Sequence, residues 1–249
     1  MSLNFNGINI GGNSGGGTPA NYIPDGTVYN IKADGTGDFN TLNEAIEFLT
    51  GKWSTSNVKI KFGTGTFTHT ESVSIRGGNF FSIPLLMVEG EGADSTILEF
   101  THNTYDPAIK VLNTTAFDMR KLTVKRAGGD TSTDLRGILS AENAEVLLHN
   151  ITTDGCNYAI NAQQNATISL VSNITVKNCN LGIGAEGGIV GGTWGVATTF
   201  NNVTTAFYVY GGGIIKVPFP TYTGTNVTNK SSQTLGTANA SGWITGFSS

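Results

Sequence analysis

Apolar and polar positions follow two different periods along this chain, and the change falls close to residue 51. Before it, Leu42, Ala45, Ile46 and Leu49 recur at i, i+3, i+4 and i+7, one apolar stripe of a helix. Thr41 followed by Glu44 forms a capping-box start, and Gly51 is a natural stop, so a helix is expected over about 41–50. After it the period is two. Val58, Ile60 and Phe62 alternate with Lys59 and Lys61, and Val73 and Ile75 repeat the pattern. Apolar runs then return at short intervals: 83–88, 97–100, 108–112 and 122–124. No second helical stripe appears, so the class is all-β with one short helix near the start.

A repeat then narrows the architecture. Asn150-Ile151-Thr152, Asn173-Ile174-Thr175, Asn202-Val203-Thr204 and Asn226-Val227-Thr228 share one pattern, with Lys121-Leu122-Thr123 as an earlier variant. Periods of 20 to 50 residues mark solenoids, and a purely β repeat selects a single-stranded parallel β-helix. Registering the repeats on their central apolar residue stacks Lys121, Asn150, Asn173, Asn202 and Asn226 in one outward column. Thr123, Thr152, Thr175, Thr204 and Thr228 then form a second. Two positions on, Lys125, Asp154 and Lys177 form an expected ion-pair ladder. Cys156 and Cys179, one coil apart, are expected to stack as an internal thiol pair. The Asn-x-Thr triplets are also glycosylation sequons by pattern, but recurrence in coil phase favours a structural reading.

Composition agrees with a solenoid. Charged residues make up 13% and there are 34 glycines among 249 residues, which leaves neutral polar side chains to stack and glycine to turn corners. A net charge of −4 and a pI near 5.3 speak against a nucleic-acid partner. The two cysteines give no disulfide framework, and His69, His102 and His149 lack zinc-ligand spacing, so neither a metal nor a cofactor is expected. Residues 1–27, rich in glycine, read as a flexible N-terminal arm; 28–235 as the β-helix; 236–249 as a C-terminal cap. Val217-Pro218-Phe219-Pro220 reads as the end of the last full coil. No signal peptide or membrane span is read, which suits synthesis in a host cytoplasm and release without export.

The stretch Asp34-Gly35-Thr36-Gly37-Asp38-Phe39-Asn40-Thr41-Leu42-Asn43-Glu44-Ala45-Ile46, followed by 58–67, resembles the opening of pectin methylesterases. It is similar as well to the opening of bacteriophage tailspikes and tail-associated proteins in the wider pectate-lyase-like superfamily. The resemblance implies a right-handed parallel β-helix whose helix caps the open end. It does not choose a function, because that superfamily hosts lyases, hydrolases, esterases and adhesins. Pectin methylesterases use two catalytic Asp, in Gly-Tyr-Gln-Asp-Thr-Leu and Val-Asp-Phe-Ile-Phe-Gly segments. The counterparts here place Tyr158 and Asn180 at those positions, and neither supplies a carboxylate nucleophile. The family's Leu-Gly-Arg-Pro-Trp stretch is missing, so the esterase activity is rejected.

Glycoside hydrolysis needs two carboxylates facing each other. Among Asp130, Asp134, Glu142, Glu145, Asp154 and Glu186, the first suspects are Asp130, Asp134 and Glu186, with Lys125, Arg126 and Arg136 near the 128–134 loop as lyase-type bases. For Asp130 and Asp134 a solvated turn, in which Asp caps its own backbone, is the favoured reading. In the aromatic C-terminal third, Trp194, Tyr208, Tyr210 and Tyr222 are the candidates for stacking on sugar rings. The expected function is a non-enzymatic, receptor-binding bacteriophage tail protein. It would sit in the virion as a homotrimer, meet a host cell-surface glycan and join other tail proteins through the arm. A tailspike-type polysaccharide depolymerase and a purely structural tail component are the alternatives.

Overall fold

The computed structural model describes residues 3–5, 8–10, 20–79, 83–102, 105–114, 116–128, 135–193, 196–217, 221–234 and 243–245. The fold is a right-handed parallel β-helix. Strands stack in three parallel columns. The first runs from Val28–Ile31 through Val58–Phe62 and Leu86–Glu89 to Ile214–Lys216 and Trp243–Thr245. A second starts at Gly65–His69 and reaches 221–225. The third starts at Val73–Arg76, passes through Ile109–Leu112, Arg136–Ala141 and Tyr158–Gln163, and ends at 229–234. A short antiparallel pair, Leu3–Phe5 with Ile8–Ile10, lies at the N-terminal end.

Alternation decides what fills the interior. Each strand sends every second side chain inward, and Phe62, Phe100, Phe117, Phe200 and Phe207 lie fully buried among Ile, Val and Leu. A fully buried side chain of this size contributes roughly 1.5–3 kcal/mol. The expected helix is present as Leu42–Leu49. Thr41 caps it by accepting from the Glu44 N–H at 3.2 Å, and Glu44 returns to the Asn40 N–H at 2.8 Å. Its stripe of Leu42, Ala45, Ile46 and Leu49 is buried, so the helix covers the open end of the stack.

Several expectations are corrected by the register. Leu122, Ile151 and Ile174 do stack, but Ile174 pairs with Thr198 rather than Val203. Val203 pairs with Cys179, and Val227 with Val203. The Asn-x-Thr triplets therefore mark two different corners. Lys121 and Asn150 turn the chain from the first column to the second; Asn178, Asn202 and Asn226 turn it from the second to the third. All five have left-handed backbones, with φ of 53°, 52°, 51°, 55° and 55° in that order. Both corners need a residue that tolerates this conformation just before a buried apolar one, so they look alike in sequence. At the second corner the side chains form a ladder. Asn226 Nδ2 donates to Asn202 Oδ1 at 2.8 Å, Asn202 Nδ2 to Asn178 Oδ1 at 3.0 Å, and Asn178 Nδ2 to Asp154 Oδ1 at 2.8 Å.

The threonine column likewise runs Thr123, Thr152, Thr175, Thr199 and Thr223, not to Thr204 and Thr228. Lys125, Asp154 and Lys177 are in register as expected, but Lys125 pairs with Glu99 of the preceding coil at 2.8 Å. Cys156 and Cys179 are buried free thiols in contact. The hydrogen bond to Cys179 and then burial push the Cys156 thiol up. The Pro-containing segment does not end the stack. Strand Thr221–Thr234 pairs fully with the coil before it, and Trp243–Thr245, inside the segment read as a cap, extends the first column. Packing also begins before Val28, inside the stretch read as an arm. The Tyr22 ring packs against Trp53 at a tilt of 51°, centroids 4.6 Å apart, and Ile23 is buried. The rest of that arm, residues 1, 2, 6, 7 and 11–19, lies outside the described residues.

Candidate functional site

On the outward face of the third column the stack departs from a plain polar flank. Position by position, Arg136, Tyr158, Leu181 and Thr205 form one row across successive coils. Leu139, Asn161, Gly184 and Tyr208 form the next. Gln163, Glu186 and Tyr210 form a third. An open cleft of about 440 Å³ lies across these rows, lined by Arg136, Tyr158, Leu181, Glu186, Tyr208, Val209 and Tyr210.

The polar groups of the cleft converge on Glu186. Gln163, one coil earlier, donates its side-chain amide N–H to Glu186 Oε2. Arg136 Nη1 stands 3.9 Å from the same oxygen, and its guanidinium lies over the Tyr158 ring at 4.9 Å. That contact is a cation–π arrangement, which holds the cation without neutralising it. Tyr158 in turn meets the Tyr208 ring edge-on, with centroids 5.6 Å apart and planes at 71°. Tyr208 is almost fully covered, whereas Tyr210 is 51% exposed and forms the outer lip.

Arg136 is positioned from beneath. Arg126, only 1% exposed, is buried at the end of the preceding strand and is held by carbonyl oxygens instead of a carboxylate. Its Nε donates to the Arg136 carbonyl at 3.2 Å and its Nη1 to the His102 carbonyl at 3.1 Å, while Nη2 bonds the Asp106 carbonyl. Nη1 also meets His102 Nε2 at 2.7 Å, and the same ring nitrogen lies 3.2 Å from the Asp106 carbonyl. Burial first, and then the Arg126 charge, hold His102 below its ordinary range. This buried knot fixes the turn into the third column.

A second polar knot lies on the first column. Asp118, 1% exposed, receives Arg120 Nε at 2.9 and 3.0 Å and Nη2 at 2.5 Å. His149 Nε2 stands 3.6 Å away, beyond a hydrogen bond, and burial depresses its basicity while Asp118 opposes that. With its carboxylate buried and met by Arg120, Asp118 reads as a structural clamp.

The structure thus gathers three of the residues expected from sequence, Glu186, Tyr208 and Tyr210. Tyr222 pairs with Thr198 in the second column, away from the cleft. Asp130, Asp134 and Trp194 lie outside the described residues; the first two fall in the stretch that joins Gly128 to Leu135, the residue before Arg136. Tyr158 lines the cleft, but its in-register successor is Leu181; Asn180 stacks on Asn157 at 3.1 Å. Sequence reasoning passed over Gln163, Asn161, Gly184 and the role of Arg136. Coil spacing was the available signal: 186 − 163 = 23, the same step that separates Cys156 from Cys179.

No family model matches the sequence, and no curated protein matches it. Two solved structures are similar in chain trace. One is a pectin methylesterase from carrot, 14% identical, covering 87% of this chain and 88% of that one with a TM-score of 0.46. The other is a pectin methylesterase from Aspergillus niger, 13% identical, covering 90% and 93% with a TM-score of 0.41. The assignment of the fold stands on the strand register, and that of the site on its own residues.

Proposed function

We propose that this protein binds a polysaccharide without cleaving it, through the third-column cleft. The observation that carries this is the lining: the three tyrosines Tyr158, Tyr208 and Tyr210 and Leu181 beside Arg136 and Glu186, the latter held by Gln163. Sugar rings are recognised by that combination, an aromatic face for the C–H surface and planar polar groups for the hydroxyls. Glu186 is the sole carboxylate lining the cleft among the described residues, and hydrolysis by an acid–base pair needs two. The setting we propose is the tail of a bacterial virus, as a homotrimer meeting a host cell-surface glycan. It is supported by the resemblance of residues 34–46 to tail-associated proteins, and light scattering that finds a stable monomer refutes the trimer.

A depolymerase is the second reading, favoured by one observation: residues 129–134, with Asp130 and Asp134, connect Gly128 to Leu135 directly beside Arg136. One experiment separates the two. Purified protein is screened on a glycan array, with both retention and release of shortened products read out. Retention without release, lost in Tyr158→Ala, supports binding. Release of products that Glu186→Gln abolishes establishes the depolymerase.

A further inference from the structure

We propose that Glu186 and Tyr210 form a single-sugar subsite at the rim of the cleft, and that this subsite takes a neutral pyranose and turns uronates away. The inference rests on the glycan-binding reading of the cleft and adds the sugar class and the two residues that select it.

The stack brings the two residues together. Glu186 and Tyr210 are in register on successive coils, outward neighbours about 4.8 Å apart along the axis, and both line the cleft. Each ends its strand just before a left-handed glycine, Gly187 at φ 69° and Gly211 at φ 59°. The Tyr210 carbonyl accepts from the Gly187 and Gly213 N–H groups, both at 3.1 Å. The backbone that carries the ring is thus tied to the coil before it and to its own turn. A platform set before any ligand arrives lowers the ordering cost of binding.

Both protein groups that hold Glu186 act on one oxygen. Gln163 donates to Oε2, and Arg136 Nη1 stands 3.9 Å from the same atom. Among the described residues Oε1 receives no hydrogen bond, although the Glu186 side chain is only 20% exposed. A carboxylate accepts at both oxygens and donates from neither, and the strongest Arg–carboxylate pairs engage both. Here one oxygen fixes the side chain, and the other keeps its acceptor capacity for what enters the cleft.

Tyr210 supplies the complementary surface. It is 51% exposed, and among the described residues its hydroxyl makes no hydrogen bond and its ring meets no other ring or cation. A pyranose laid with its C–H face on that ring carries its equatorial hydroxyls at the ring edge, toward the coil of Glu186. A hydroxyl is a donor that Oε1 can use. A uronate carboxylate is not, and it would set a second negative charge beside the first.

The test uses the full chain and measures binding to cello-, malto-, manno- and galacto-hexaose, with hexagalacturonate as the acidic comparison. Melting temperature is recorded for every variant. At least one neutral hexaose is expected to bind about tenfold more tightly than hexagalacturonate, or better. Tyr210→Ala is expected to weaken that binding about tenfold and Tyr210→Phe to keep it, because the ring face makes the contact. Glu186→Gln removes the negative charge, so the neutral hexaose should weaken, hexagalacturonate should tighten, and the gap between them should close. Wild-type binding in both Tyr210→Ala and Glu186→Gln, with binding abolished in Tyr158→Ala, overturns the subsite and leaves the glycan-binding reading standing. Equal or tighter binding of hexagalacturonate by the wild-type chain, or an unchanged gap in Glu186→Gln, overturns the sugar class. Binding of no hexaose overturns the subsite and its sugar class; the glycan-binding reading falls with it only if the glycan array too shows neither retention nor release.

Discussion

The asparagine ladder at the second corner predicts an inverted ranking of alanine and glycine. Asn202 has φ of 55° and takes part in two side-chain hydrogen bonds, accepting from Asn226 at 2.8 Å and donating to Asn178 at 3.0 Å. Both bonds are exposed, so each is worth about 0.5–1 kcal/mol and their joint loss about 1–2 kcal/mol. Replacing Asn202 by Ala also forces a Cβ-bearing residue without a local hydrogen bond into the left-handed region, which costs roughly 1–2 kcal/mol more. Gly at the same position loses the ladder but enters that region freely; its penalty is the extra freedom of the unfolded chain, roughly 0.5–1 kcal/mol. The expected losses are therefore about 2–4 kcal/mol for Asn202→Ala and about 1.5–3 kcal/mol for Asn202→Gly. Elsewhere in a strand the order is reversed, with Gly the worse by up to about 1 kcal/mol. Equilibrium urea denaturation, with the slope held equal between variants, measures the difference. An Ala variant as stable as the Gly variant, or more so, refutes the claim that backbone conformation selects asparagine here.

Three further outcomes follow from the same geometry. Gly184→Ala places a methyl group where the Tyr208 ring now sits, so the ring should swing into solvent with a loss of about 1–3 kcal/mol. Solvent-perturbation absorbance of tyrosine checks this, and an unchanged spectrum refutes the seat. Acid should act in two stages. His69 is buried and held down to about 4, mainly by burial and then by His102, against 6.5 when unfolded. The unfolded chain therefore takes the proton first, and stability falls as pH drops from 6.5 to about 4, by up to about 3 kcal/mol. His69→Phe should remove that limb. Glu89 is held down to about 2 by hydrogen bonds from Lys121 and Lys59, against 4.5. Its contribution is complete above 4.5 and is lost as pH falls toward 2. Because the lysines are 49% and 37% exposed, screening reduces it to about 1–2 kcal/mol, and Glu89→Gln should flatten that lower limb.

Much of the architecture was legible because two periods do not mix: the helix stripe at 42, 45, 46 and 49 and the alternation from Val58 both appear where expected. The coil register was legible only in part. Asn173 and Asn178 each precede a buried apolar residue, at 174 and 179, and nothing local in the sequence says which of them occupies the corner that Asn202 continues. Left-handed backbone at Asn178 settles it, and that is a property of the folded corner. For the site, Glu186, Tyr208 and Tyr210 stood out by chemical type. Asn161 and Gly184 did not, because an asparagine and a glycine in a sequence rich in both carry no signal until the coils are stacked. Arg136 was noticed for its nearness to a loop, whereas its place over Tyr158 depends on the buried Arg126 knot.

That the cleft lies on the third column has a physical reason. Between the second and third columns the later coils turn on one residue, Asn178, Asn202 or Asn226, which leaves no length for a loop and keeps that edge regular. The earlier coil instead runs from Arg126 to Arg136 through an insertion, and Arg126 clamps its far end by the Arg136 carbonyl. The third column that follows is not a flat, hydrated flank: Leu139, Asn161 and Tyr208 are outward by strand alternation and yet buried. A solenoid flank binds little by itself, being repetitive and flat. Where its regularity breaks, side chains from successive coils, spaced about 4.8 Å apart, are brought into one concave surface. On the proposed glycan-binding reading, the coils from Arg136 onward are therefore where a stabilising face becomes a binding one, while the Asn202 ladder keeps the neighbouring corner regular.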